Sequence, residues 1–215
     1  MNVFHILIVE DHEDWQTILE DYTREAVEGI NHIDYMIRTY EAFNTSYKAL
    51  DEQPWDLVVT DIALGGSFES HQKLGLEIVR KASGKNIPVI AVSGTPIVNT
   101  TEVRNLLKEH GASDYFSKSK FDAQRFVTKI QDLLFISQTT DEINRKLHEF
   151  QERLQMSSLE AQQKVAHDLV VQAQGDSEFR TKLIKWMKTI GDAATKTSVN
   201  EIVKKILILV LTSFH

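Results

Sequence analysis

Glu10 and Asp11 close the apolar run HILIV, Asp61 closes VVT, Ser93 closes IAV and Lys118 follows YFS. Each of these chemically capable side chains stands at the end of a strand-like stretch. Three carboxylates, a hydroxyl and an ammonium gathered at one place make an unbalanced set. The carboxylates repel and raise one another's pKa unless something neutralises them. Lys118 supplies part of that charge, and a hard divalent cation supplies the rest. Mg2+ suits a site of few carboxylates and several waters. Such a set favours phosphoryl transfer onto a carboxylate. Asp61 is the expected nucleophile. Asp11, Asp61 and the backbone carbonyl of Ala63 would hold the metal, with Glu10 acting through water. Lys118 and the Ser93 hydroxyl would bind the phosphoryl oxygens.

Bringing these residues together requires particular elements. Strand-like runs occur at His5–Val9, Tyr35–Tyr40, Leu57–Thr60, Val89–Val92 and Tyr115–Phe116, and helical spacing at about 14–27, 41–52, 74–83, 99–110 and 121–136. Five repeats of strand and helix predict an α/β fold, a five-stranded parallel sheet covered on both faces. In such sheets ligands sit beyond the carboxyl ends of the strands, where the five reactive positions lie. All three prolines (Pro54, Pro88, Pro96) and seven of the nine glycines precede residue 112. Between Gly111 and Gly175 there is neither, so the chain can run helical without a breaker. The expected organisation is an α/β domain over 1–136 and a small all-α module over 137–215.

Composition limits the function. The 215 residues carry a net charge of −7, with 13 basic and 21 acidic side chains in 1–136 and 11 and 10 in 137–215. The acidic front part argues against a nucleic-acid surface there, since phosphate contacts need clustered Lys and Arg. The absence of cysteine removes disulfides, thiolate metal sites and cysteine nucleophiles. The longest apolar run, Ile206–Leu211, is six residues, against roughly 20 for a membrane span. The start lacks a basic, cleavable leader pattern. A cytoplasmic protein without membrane contact is expected.

With an acidic pair, an aspartate, a serine and a lysine each at the end of its strand, residues 3–136 resemble the receiver domain of two-component response regulators. The resemblance implies a flavodoxin-like sheet of order 2-1-3-4-5. It also implies Asp61 as the phospho-acceptor, Mg2+ as cofactor, and a cognate histidine kinase or phosphotransfer protein as donor. Tyr115, three residues before Lys118, matches the family's aromatic switch position. On phosphorylation Ser93 is expected to move inward and Tyr115 to follow, remodelling the face made by the helix over 99–110, the fifth strand and the helix over 121–136. Two blander readings stand beside this one. Each Asp can be a turn or helix cap, and a pseudo-receiver can keep these residues while binding a partner unphosphorylated.

Three positions depart from the family pattern. Ser119 replaces the usual proline after the lysine. A cis Lys118–Ser119 bond would cost about 2.5–4 kcal/mol, which leaves the isomer open. The loop GGSFESHQK after Asp61 is long and polar, which puts partner access in question. Ala63 offers no polar side chain to orient an attacking water, so a slowly hydrolysed acyl phosphate is expected.

In the tail, Leu133, Ile136, Thr140, Ile143, Leu147, Phe150 and Leu154 step by three and four residues. The stripe fits a homodimer seam over 133–154 or a bundle helix packing on its own tail. Thr139–Glu142 can cap a fresh helix and break the run. Ser157 with Glu160 reads as a capping box, Gly175–Ser177 as a turn, and Ser198 with Glu201 as the cap of a last helix with face Ile202, Ile206, Leu209 and Val210. The helix over 178–190 carries Arg180, Lys182, Lys185 and Lys188, so a DNA-binding transcriptional regulator is the alternative to signalling through a downstream protein partner. Ala166-His167-Asp168-Leu169 echoes the phosphoacceptor box of histidine kinases, which raises a phosphotransfer role for His167.

Overall fold

A computed structural model describes residues 3–30, 34–64, 74–94, 105, 109–191 and 201–213. The helix expected over 99–110 falls almost wholly outside these residues, as do the GGSFESHQK loop and Ser198. The chain divides into two compact units, Met1–Leu134 and Phe135–His215.

The first unit is built on five parallel strands: β1 (Val3–Val9), β2 (Asp34–Tyr40), β3 (Leu57–Asp61), β4 (Val89–Ser93) and β5 (Asp114–Ser117). Their order in the sheet is β2-β1-β3-β4-β5, as the resemblance to receiver domains implies. β3 and β4 are buried along their whole length, as continuous apolar runs in a doubly covered parallel sheet should be. β2 and β5 form the two edges and stay half-exposed.

Side chains alternate between faces with period two. Ile6, Ile8, Leu57, Val59, Ile90 and Val92 share one core. Two helices supply its other wall, α1 (Glu13–Glu28) with Leu19, Ala26 and Val27, and α4 (Ala123–His148) with Phe126, Val127 and Ile130. Leu7, Val9, Val58, Val89 and Ala91 face the opposite way. They pack on α2 (Phe43–Glu52) through Ala49 and Leu50, and on α3 (Leu74–Gly84) through Ile78, Val79 and Ala82.

Register sets the functional edge. Val9 pairs with Tyr40 and Thr60, Asp61 with Val92, and Ser93 with Ser117. The residues that end or follow β1, β3, β4 and β5 are therefore brought level across the sheet. The ladder reaches one residue past β1, because the Glu10 amide donates to the Tyr40 carbonyl at 3.1 Å.

The second unit is helical. The last part of α4 joins α5 (Ser158–Gly175), α6 (Ser177–Gly191) and α7 (Glu201–Ser213). Ile143, Leu147, Val165, Leu169, Leu183, Trp186, Ile206 and Val210 form its core. The expected capping box is present: the Glu160 amide donates to Ser157 Oγ at 3.3 Å, and the Ser157 amide to Glu160 Oε2 at 2.9 Å. At the next turn Asp176 Oδ1 accepts from the amides of Glu178 and Phe179, both at 2.9 Å.

Two expectations for the tail need correction. α4 does not break at Thr139–Glu142; it runs to His148 and then into a π-helical turn, Glu149–Arg153. Thr139 is buried within it rather than capping a new helix. The stripe along it is occupied by its own unit, with Ile143 and Leu147 in the core and Ile136 and Phe150 packed against it. Only Leu154 of the proposed dimer seam is strongly exposed, at 57%. The face of α7 is also rotated from expectation. Val203, Ile206, Leu207 and Val210 are buried, and Ile202 is exposed. No helix among the described residues is long and apolar enough to cross a membrane.

Candidate functional site

The site is assembled from strand ends. Glu10 leaves β1 fully buried, and Asp61 ends β3 at 4% exposure. Asp11, on the turn into α1, is exposed. One oxygen from each of Glu10, Asp11 and Asp61 lies within 4.8 Å of the other two. Lys118 opens a 3-10 turn, Lys118–Lys120, directly after β5. Its Nζ lies 2.7 Å from Glu10 Oε2 and 3.0 Å from Asp61 Oδ2. No cis peptide occurs among the described residues, so Lys118–Ser119 is trans.

Both oxygens of Asp61 are held. Oδ2 accepts from Lys118, and Oδ1 accepts from the Ala63 amide at 3.1 Å. Glu10 is fixed in the same manner, with Oε1 accepting from the His12 amide at 3.1 Å and Oε2 against Lys118. Gln16, one turn into α1, donates to the Glu10 carbonyl at 2.8 Å. Burial pushes the Glu10 carboxyl above its ordinary range, and the nearby Asp61 charge pushes the same way; Lys118 opposes both. A single ammonium thus faces two buried carboxylates, with a third acid beside them.

Ser93 is buried at the end of β4, one residue beyond the register partner of Asp61. Tyr115, on β5, is partly buried and packs against the core that faces α2 and α3. The neighbouring β5 residue Asp114 is bound by Arg125 at 2.5 Å.

Three contributors were not singled out from the sequence. Trp15 presents its ring to Lys118, with Nζ 5.3 Å from the centroid. Phe121 packs edge-on to Trp15 at 5.4 Å between centroids. Gly75 sits where α3 meets the end of β3; a Cβ there would fall 1.8 Å from the Asp61 carbonyl oxygen. Trp15 and Phe121 gave only the ordinary signal of aromatic residues beside predicted strand ends.

The residues singled out in the tail lie in the helical unit. On α6, Leu183, Trp186 and Met187 are buried, while Arg180, Lys185 and Lys188 are exposed. Lys182 pairs with Glu178 at 2.7 Å. His167 is exposed on α5. Its neighbour Asp168 is engaged by Lys164 at 3.1 Å and Lys146 at 3.9 Å.

No family model and no curated protein matches the sequence. Solved structures do. The signal receiver domain of a protein named as a Luxo repressor, from Vibrio parahaemolyticus, superposes with a TM-score of 0.52 at 17% identity, over 66% of this chain and 98% of that one. NtrX from Brucella abortus, solved with ADP, gives a TM-score of 0.50 at 24% identity, over 66% of this chain and 30% of the NtrX chain. The first unit has the receiver-domain fold. With strand order 2-1-3-4-5 and acids at the ends of its first and third strands, this receiver unit is flavodoxin-like in topology. Each of these two matches leaves about a third of this chain uncovered.

Proposed function

We propose that residues 1–136 form a phosphoryl-accepting receiver and that residues 137–215 pass on its state by protein contact, making the chain a two-component response regulator. The observation that carries this reading is the clamped Asp61 carboxylate. It is held between the Lys118 ammonium and the Ala63 amide, with Glu10 and Asp11 alongside.

The donor set fits a hard cation. All three acids offer oxygen, two of them are buried, and one lysine leaves them short of positive charge. Asp11, Asp61 and the Ala63 carbonyl would hold Mg2+, and Glu10, already engaged by Lys118 and His12, would reach it through water. Bound there, Mg2+ would offset negative charge on the phosphoryl oxygens. The chain's own residues do the rest. An Asp61 oxygen forms a bond to phosphorus as the bond to the donor's leaving group breaks, and the product is a mixed anhydride. Lys118 keeps its proton and exchanges an Asp61 oxygen for a phosphoryl oxygen; the Ser93 hydroxyl donates to another. Tyr115, beside this site on β5, is the proposed switch.

The donor class is a histidine kinase or a phosphotransfer protein, and the receiving class is a downstream protein partner. The test is incubation with phosphoramidate and Mg2+, followed by mass analysis of the intact protein and hydroxylamine sensitivity. One acid-labile phosphoryl group on the wild-type chain and none on Asp61→Asn is expected. Equal labelling of the Asp61→Asn protein overturns the assignment.

A further inference from the structure

We infer that Trp15 is a positioning residue for Lys118 in phosphoryl acceptance, a role that rests on the reading above. An ammonium has three N–H donors. Lys118 directs contacts to Glu10 and Asp61 at 2.7 and 3.0 Å, and its side chain is only 10% exposed. The remaining side faces the Trp15 ring, whose centroid lies 5.3 Å from Nζ. This is within the range over which an indole face attracts a cation, an attraction that grows when both are shielded from water.

The ring is held in place. Trp15 lies in the first turn of α1, on the segment that carries Glu10 and Asp11. It packs edge-on to Phe121, the residue after the Lys118–Lys120 turn. Phe121 in turn contacts Tyr22, Phe116 and Phe126, at 5.9, 6.0 and 5.1 Å between centroids. The indole therefore backs the lysine from a supported aromatic cluster.

That backing matters at one moment of the reaction. When Asp61 attacks phosphorus, Lys118 must release an Asp61 oxygen and take up a phosphoryl oxygen without swinging out to solvent. Two carboxylate contacts then become one carboxylate and one phosphoryl contact, and the aromatic face is the fixed point of the exchange. Lys118 stays protonated throughout.

Substitution separates this role from plain filling of space. Trp15→Phe keeps an aromatic face, whereas Trp15→Leu keeps apolar bulk and loses it. With phosphoramidate and Mg2+, Trp15→Leu is expected to label about tenfold more slowly than wild type at saturating donor, equivalent to about 1.4 kcal/mol. Trp15→Phe should stay within about threefold of wild type, because phenylalanine retains a weaker cation attraction. The half-saturating donor concentration should change little in either. A second readout needs neither donor nor metal. In proton–carbon spectra of lysine-labelled protein, the Lys118 side-chain resonances, identified with Lys118→Arg, should move in Trp15→Leu and much less in Trp15→Phe. If leucine lowers the melting temperature, Trp15→Met takes its place.

Wild-type rates in Trp15→Leu, equal slowing in both variants, or unmoved Lys118 resonances overturn the inference while the acceptor reading stands. A wild-type chain that takes no label sinks the acceptor reading, and this role with it.

Discussion

Glu10 is a glutamate buried to zero exposure, with Lys118 at 2.7 Å and the His12 amide favouring its negative form against that burial. Desolvation wins that contest, so the carboxyl titrates above the ordinary glutamate value of 4.5. The folded chain therefore holds this proton more tightly than the unfolded chain. The resulting stabilisation is fully present below the ordinary value and is lost as pH rises through the raised one. Glu10→Gln freezes the side chain in its neutral form. In metal-free buffer the stability of Glu10→Gln relative to wild type should accordingly increase as pH climbs across that window. Urea unfolding at stepped pH in the presence of a chelator measures the gap, and a gap that stays flat would show that Glu10 does not titrate in this way. That Glu10, Asp11, Asp61 and Lys118 lie close together was legible from residue types and order alone, because each stands at a strand end of a parallel sheet. The Trp15 ring was not legible in the same way, since a tryptophan early in an amphipathic helix looks like any core residue until its neighbour across the fold is known.

Among the elements, strands were the easiest to read. Runs such as Leu-Val-Val-Thr and Val-Ile-Ala-Val are buried on both faces of a parallel sheet and therefore need no alternation. Helix limits were harder. Thr139–Glu142 carries good capping chemistry, yet α4 passes through it. The burial of Ile143 and Leu147 on the far side favours continuing the helix over starting another. In α7 the run Ile206–Leu211 is apolar all round, so sequence cannot say which stripe faces inward; Val203 and Leu207 are buried, and Ile202 is exposed. Gly75 shows what an element needs in order to serve the site. α3 begins so close to the end of β3 that any Cβ would overlap the Asp61 carbonyl and press on Ile62 Cα at 2.7 Å. Neither obstacle is a flexible side-chain tip. Gly75→Ala should cost about 1–3 kcal/mol, the usual range for overpacking, and should reduce phosphoryl uptake because the strain falls on Asp61 itself. Unfolding free energy and label yield, measured on the same preparation, test both parts. Wild-type values for both would mean that α3 can shift freely.

At the scale of the whole molecule, the described residues form separate apolar cores. Two lie on the faces of the sheet, and a third is confined to the helices after residue 134. α4 is the covalent link, since Leu133 and Leu134 belong to the first group and Ile143 and Leu147 to the last. If the cores are energetically distinct, damage to one should stay largely in its own unit. Ile206 is fully buried in the helical core, and truncation to alanine there should cost about 2–5 kcal/mol. Hydrogen exchange on Ile206→Ala should then show lost protection in α5, α6 and α7, while β1, β3 and β4 keep theirs, because local stability follows the contacts of each cooperative unit. Phosphoramidate labelling of Asp61 should continue in the same variant. Protection lost evenly through the sheet and the helices would instead make the chain a single cooperative body, and the proposal that the helical unit acts as a separate module would fall.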